Sequence, residues 1–374
     1  MESLRLEALA KSLKHPLLIK KKENLLYLMG QGFMHGYLLI KPMNTNGGKR
    51  INTDVVFLGD GLERIDGVKS DFLKNVGKYV GKKETLEVFG DFTYAEVKYI
   101  RSKNPDLRLK ITVKHDPVDF QRAIKEPGEI AMVKKSMEIV EGVFYQVKKN
   151  LSRSAGHRPA LTEIELADFI RSTGLKLGAQ DISFPPIVAS GANAAVPHHV
   201  PSDKRLKVGE SIILDFGFSA GGGSASGGKY QNYCSDFTRT IFLKKVPKKL
   251  EIAYNQVEKA YNESISMAGV GAGLKPAPTG KEVYDKAVAV LAEKHLDKYF
   301  IHSLGHGTGL EIHELPNLSP NSKDILKDGM VFSIEPGVYI KNLGGIRIED
   351  LVYLENGKVK KFINVSTKLS DNII

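Results

Sequence analysis

Apolar residues recur along this chain in two rhythms. From Ile130, the residues Val133, Met137, Val140, Phe144 and Val147 alternate steps of three and four, which predicts a long helix with one buried stripe. Thr162 with Glu165, and Thr279 with Glu282, carry the spacing of a capping box and predict two further helix starts; another helix is expected over 250–267. The second rhythm is short and strand-like, at 211–218, 235–243, 330–334 and 345–354. Helices packed on a mainly antiparallel sheet follow for this part. Ahead of it, apolar runs at 17–19, 37–40 and 55–58 alternate with turn-rich stretches such as 42–48, and 70–80 and 94–103 read as amphipathic helices. That is a small α/β unit. The Pro- and acid-rich stretch 117–127 divides the two, giving expected domains of 1–121 and 122–374, within an α+β class overall. Gly-rich segments at 220–229 and 269–278 are expected connectors.

Composition narrows the function classes. The chain has 374 residues, 42% hydrophobic and 26% charged, as expected of a globular protein of two domains. No apolar run reaches the ~18–20 residues of a membrane helix and the start lacks a signal-peptide pattern, so no membrane partner and a cytoplasmic location are expected. The net charge of +11 raises nucleic acid as a partner, but the lysines are scattered (20–22, 82–83, 244–249, 358–361) rather than set on one face among aromatics, so none is expected. The single cysteine, Cys234, forms no internal disulfide and reads as a packed core residue.

The chemistry lies in carboxylates embedded in strand-like apolar surroundings. Asp215 follows Ile212-Ile213-Leu214, Asp236 precedes Phe237-Thr238-Arg239-Thr240, Glu335 ends Val331-Phe332-Ser333-Ile334, and Glu349 follows Ile346-Arg347-Ile348. A buried, unpaired carboxylate loses its hydration, and four in one domain need a common counter-charge. Bound divalent cations supply it. His306, between Gly305 and Gly307, completes a donor set of four carboxylates and one imidazole, which suits a pair of manganese, iron, cobalt or zinc ions.

The order Asp, Asp, His, Glu, Glu within ILDFG, CSDFTRT, HSLGHGTGLEIHE, FSIEPGVYI and GIRIEDL closely resembles the pita-bread-fold metallopeptidases, which include methionine aminopeptidase, Xaa-Pro aminopeptidase and Xaa-Pro dipeptidase. The stretch from Asn24 to Gly30 (NLLYLMG) looks like part of the creatinase-type N-terminal domain of the proline-specific branch. The resemblance implies a creatinase-like N-terminal domain followed by a catalytic domain of helices on a curved, mainly antiparallel sheet. It implies two divalent ions, manganese first with cobalt, zinc or iron as alternatives, with Asp215 on one ion, Asp236 and Glu349 bridging, and His306 and Glu335 on the other. A metal-bridging hydroxide would attack the scissile carbonyl, with Glu335 moving a proton. His198, His302 and His313 would act on the substrate side and Arg347 beside the metals. The implied partner is a peptide with proline second, and the implied assembly a homodimer. A catalytically inactive peptide- or partner-binding member of the fold is the alternative reading.

Overall fold

The computed structural model describes residues 4–30, 35–43, 55–59, 68–80, 84–112, 116–154, 160–221, 230–269 and 277–374. Most of the expected turn at 42–48 and of the connectors at 220–229 and 269–278 lies outside these residues. The chain divides into two compact units, Met1–Arg122 and Ala123–Ile374.

The first unit runs α1 (Leu4–Ser12), β1 (Leu17–Ile19), α2 (Lys22–Met29), β2 (Tyr37–Ile40), β3 (Val55–Gly59), β4 (Lys69–Phe72), β5 (Thr85–Phe89), α3 (Tyr94–Lys103), β6 (Arg108–Thr112) and α4 (Pro117–Ala123). Its strands form one mixed sheet in the order β4-β3-β2-β1-β5-β6. Leu18, Leu39, Val56 and Leu58 bury their side chains in its core with Val97 and Ile100 of α3. Asn24 donates to Asp116 Oδ2 at 2.6 Å and accepts from Arg122 Nη1 at 2.6 Å, tying α2 to α4. The helix expected over 70–80 is corrected: 69–72 is strand β4, pairing parallel with β3, and 73–78 is a 3-10 turn. The reason is local. The Asp71 carboxylate accepts from the Phe72 backbone, from Asn75 and from Tyr79, a turn arrangement that competes with helical hydrogen bonds.

The second unit contains α5 (Pro127–Ser154), α6 (Glu163–Lys176), β7 (Asp181–Ile182), β8 (Ile187–Ser190), β9 (Ser211–Asp215), β10 (Phe218–Ala220), β11 (Tyr233–Cys234), β12 (Phe237–Phe242), α7 (Lys248–Ala268), α8 (Gly280–Ala292), β13 (Gly305–Gly307), β14 (Glu314–Leu318), β15 (Val331–Ile334), β16 (Gly337–Ile340), β17 (Gly344–Arg347), β18 (Glu349–Glu355) and β19 (Lys358–Lys361). The capping boxes at Thr162 and Thr279 are both formed. The main sheet is antiparallel throughout, in the order β14-β13-β15-β18-β12-β9-β8, with β19 beside β18. The stretch read as one strand over 345–354 is two: it breaks at Ile348, so β17 pairs with β16 and β18 joins the main sheet.

Register explains the architecture. Ile212, Leu214, Phe237 and Ile241 share one face of the sheet with Phe332, Ile334, Val352 and Leu354. The first four are buried with Val133, Met137, Val140, Phe144 and Val147 of α5; the last four with Tyr254, Val257 and Tyr261 of α7 and Val283 of α8. Leu166 and Ile170 of α6 join the first group, so all four described helices of this unit cover the same face. The opposite face buries Ile213, Val331 and Leu351 and beside them carries a run of polar residues.

Candidate metal centre

That opposite face carries the acidic residues as a row. Thr238 of β12 pairs with Asp215 of β9 on one side and with Glu349 of β18 on the other. One step beyond the pairing of Ile334 with Asp350, Glu335 comes opposite Glu349. Asp236 lies just ahead of β12, and its carboxylate reaches the same cluster, with Oδ2 3.5 Å from His306 Nε2. On β13 His306 stands beside Ser333, whose hydroxyl accepts from the His306 backbone at 3.1 Å. This close approach requires glycine: a Cβ on Gly305 would sit 2.0 Å from the Ser333 carbonyl oxygen, and one on Gly307 2.0 Å from that of Leu315.

One oxygen or nitrogen from each of Asp236, His306 and Glu349 lies within 4.8 Å of the others. His306 Nε2 is 3.5 Å from both Asp236 Oδ2 and Glu335 Oε1. Asp215 takes an ion pair from Arg347 on Oδ2, while its Oδ1 is buried with no hydrogen-bond partner among the described residues. Behind the row, Thr238 donates to Glu349 Oε2 at 2.6 Å and accepts from Arg347 Nε at 3.2 Å. Arg347 Nη1 also donates to the Tyr339 hydroxyl at 2.7 Å, which in turn lies 2.8 Å from His302 Nε2; His302 Nδ1 faces the Ser303 carbonyl at 2.7 Å. His198 and His313 are exposed, and His313 packs edge-on against His306 with centroids 4.3 Å apart. All nine residues expected from the sequence line one cleft of about 580 Å³. Thr238 and Tyr339 were not legible as site residues, since an uncharged hydroxyl in a strand carries no sign of a buried charge.

The electrostatics of this cluster are those of a site built for cations. Burial raises Asp236 well above the usual carboxylate range, and repulsion from Asp215 and Glu335 adds to it. Burial does the same to Glu349, reinforced by Asp236 and Glu335. Glu335 is pushed up to about 8 by burial, against the attraction of Arg347. Asp215 is raised by burial despite Arg347. His306 is held down to about 4, first by burial and then by His313, so its imidazole is neutral near pH 7. With Nδ1 at 3.1 Å from the Gly307 carbonyl, the proton belongs on that nitrogen, and Nε2 presents a lone pair toward two carboxylates. The bare Nε2 of His306 and the orphaned Asp215 Oδ1, set among four mutually repelling carboxylates, fit divalent cations.

Comparison with known proteins agrees with the geometry. Residues 131–356 match the family model described as metallopeptidase family M24. A putative Xaa-Pro aminopeptidase of Mycoplasma genitalium is 38% identical over 239 residues, 63% of this chain; the chain spans 61% of that relative's length. The Xaa-Pro dipeptidase of Pyrococcus furiosus is 33% identical over 287 residues, covering 76% of this chain and 75% of that one. The solved Xaa-Pro dipeptidase of Bacillus anthracis superposes with a TM-score of 0.82 at 28% identity, covering 99% of both chains. The fold is thus the expected α+β one, a small α/β N-terminal domain followed by helices on a curved antiparallel pita-bread sheet. Taken with the row of buried carboxylates beside His306, the match places the chain in metallopeptidase family M24.

Proposed function

We propose that this chain is a dinuclear metallo-exopeptidase that cleaves the bond before a proline, in Xaa-Pro dipeptides or at the N-terminus of longer peptides. The observation that carries the reading is the row Asp215, Glu349 and Glu335 on one sheet face, with Asp236 and the bare Nε2 of His306 beside it. The similarity to Xaa-Pro dipeptidases and a putative Xaa-Pro aminopeptidase supports the substrate class. Asp215 would hold one ion, His306 and Glu335 the other, and Asp236 and Glu349 would bridge them. When bound, two such ions supply Lewis-acid polarisation and a strongly acidified water.

The chain's own residues do the rest. Glu335 carries a proton between the attacking water and the leaving amine. His198 and His313, exposed on the cleft wall, donate to the carbonyl oxygen as it gains negative charge. Arg347 fixes the Asp215 carboxylate, and the chain from Arg347 through Tyr339 to His302 fixes Arg347. Phe184, Pro185, Pro186, Ile187, Val200 and Pro201 give the cleft an apolar wall that suits a pyrrolidine ring. Proline's amide nitrogen bears no hydrogen, so that wall need supply no acceptor.

The same reading takes manganese as the working metal, with cobalt, zinc or iron as alternatives. It places a creatinase-like domain at 1–121 and the catalytic domain at 122–374, in a cytoplasmic homodimer. Hydrolysis of Xaa-Pro and Xaa-Pro-Yaa peptides, compared with each metal in turn, tests it. Release of the first residue from either class is expected. No turnover with any of the four metals would overturn the reading and favour an inactive peptide-binding member of the fold.

A further inference from the structure

A buried carboxylate outside the metal cluster orders the loop that carries His198. Glu163 opens α6 directly after its N-cap Thr162, and its side chain is fully buried. It accepts from the backbone and hydroxyl of Ser190 at 2.8 and 2.7 Å, and from Asn193 Nδ2 at 3.1 Å. It also accepts from His199 Nε2 at 2.9 Å and from the backbone and hydroxyl of Ser202 at 3.1 and 2.7 Å. These donors are spread along 190–202, a segment that after a short 3-10 turn (Gly191–Ala195) joins no sheet ladder among the described residues. Ala194 packs against Ile213 and Tyr339 at the front of the loop, but Val196 and Val200 beyond it are 50% and 79% exposed, so apolar packing does little to fix the part that carries His198. Hydrogen bonds to one ion do it instead.

The consequence falls on His198. On one side of it, the Pro197 carbonyl accepts from Arg347 Nη1 at 3.4 Å; on the other, His199 is turned inward onto Glu163. Two neighbouring histidines thus divide the labour, and His198 is left on the cleft wall. Seen only as sequence, Glu163 is an ordinary acidic residue in the first turn of a helix.

We propose that Glu163 is a positioning residue: its carboxylate clamps the 190–202 loop so that the His198 imidazole is presented to the peptide carbonyl. The proposal rests on the peptidase reading above. Glu163→Gln replaces an acceptor by an amide whose hydrogens face other hydrogens, while nearly keeping volume.

The test is a double-mutant cycle on metal-loaded protein: parent, Glu163→Gln, His198→Ala and the double variant, with kcat and KM for an Xaa-Pro peptide. Each single change is expected to lower kcat by roughly 10- to 100-fold at unchanged metal content, with KM moving far less. The double variant is expected to be no worse than about threefold below the poorer single one, because both act through one imidazole. Effects that multiply, a Glu163→Gln enzyme with parental kcat, or an inert His198→Ala change would each overturn the proposal. A readout independent of activity accompanies it, trypsin nicking after Lys204 or Arg205 followed by mass spectrometry. Faster nicking in Glu163→Gln supports the clamp and an unchanged rate overturns it, even should the parent show no peptidase turnover, a result that refutes only the peptidase reading. If Glu163→Gln fails to fold, Ser202→Ala loosens the same clamp from the loop side and is read in the same way.

Discussion

Thr238 shows what a single side chain does at this site. Placed between Asp215 and Glu349 in the row, it spends its proton on Glu349 and its oxygen on Arg347, and so fixes an acid and a base together. Thr238→Val keeps the shape and removes both bonds. A loss of about 1–3 kcal/mol in urea unfolding is expected, with weaker metal binding by titration. Glu163 gives the clearest pH signature. Burial works to raise its pKa, but hydrogen bonds from Ser202, Ser190 and His199 outweigh it and hold the carboxyl down at about 2 rather than 4.5. A depressed acid stabilises the fold above its unfolded pKa and loses that contribution as pH falls through the folded value. Glu163→Gln should therefore be less stable than the parent by on the order of 2 kcal/mol at pH 7, with the gap in urea midpoints closing between pH 4.5 and 2. The clustered acids of the cleft were legible in the sequence because charge inside an apolar run is costly and demands a reason. Thr238, Tyr339 and Glu163 were not, because hydroxyls in strands and acids at helix starts already have ordinary explanations.

At the scale of elements, what could be read was what local physics fixes. The stripe of α5 and the capping boxes of α6 and α8 depend on neighbours three or four residues away, and all formed. The 70–80 stretch failed the same reading because Asp71, a single turn-making carboxylate, redirects its backbone. The break at Ile348 was hidden for another reason. Both halves of 345–354 are strands, and only long-range pairing sends β17 to β16 while β18 joins β15 and β12. Strand β13 shows how tightly elements are seated around the centre. Gly305→Ala would drive a methyl into the Ser333 carbonyl 2.0 Å away, so β13 must lift from β15 and carry His306 with it. Calorimetry should show a destabilisation of at least about 1–3 kcal/mol, and metal titration a weaker site.

Across the second unit, one sheet separates two tasks. Its helix-covered face supplies hydrophobic stabilisation through two clusters, while the other face concentrates like charges that oppose folding. The net charge of +11 belongs to the chain as a whole and gives no hint of this acidic pocket, since lysines spread over a surface do not offset carboxylates buried in a cleft. A ligand that binds only the folded state stabilises it by mass action, about 2.7 kcal/mol at a hundredfold excess over Kd. Saturating manganese should thus raise the melting temperature in a concentration-dependent way, and a chelator should reverse the gain. An unchanged melting temperature would mean that the carboxylates hold no ion.

The most direct single measurement follows metal content and peptidase activity together on one stripped and progressively reloaded sample. Elemental analysis counts ions per chain while release of the first residue is read on an Xaa-Pro-Yaa peptide and on its Xaa-Ala-Yaa counterpart. The expected result is activity confined to the proline peptide, reaching its plateau at two ions per chain, with Asp236→Asn neither retaining the pair nor cleaving. A protein that holds two ions yet leaves Xaa-Pro bonds intact, or one that cleaves them fully when stripped, would contradict it.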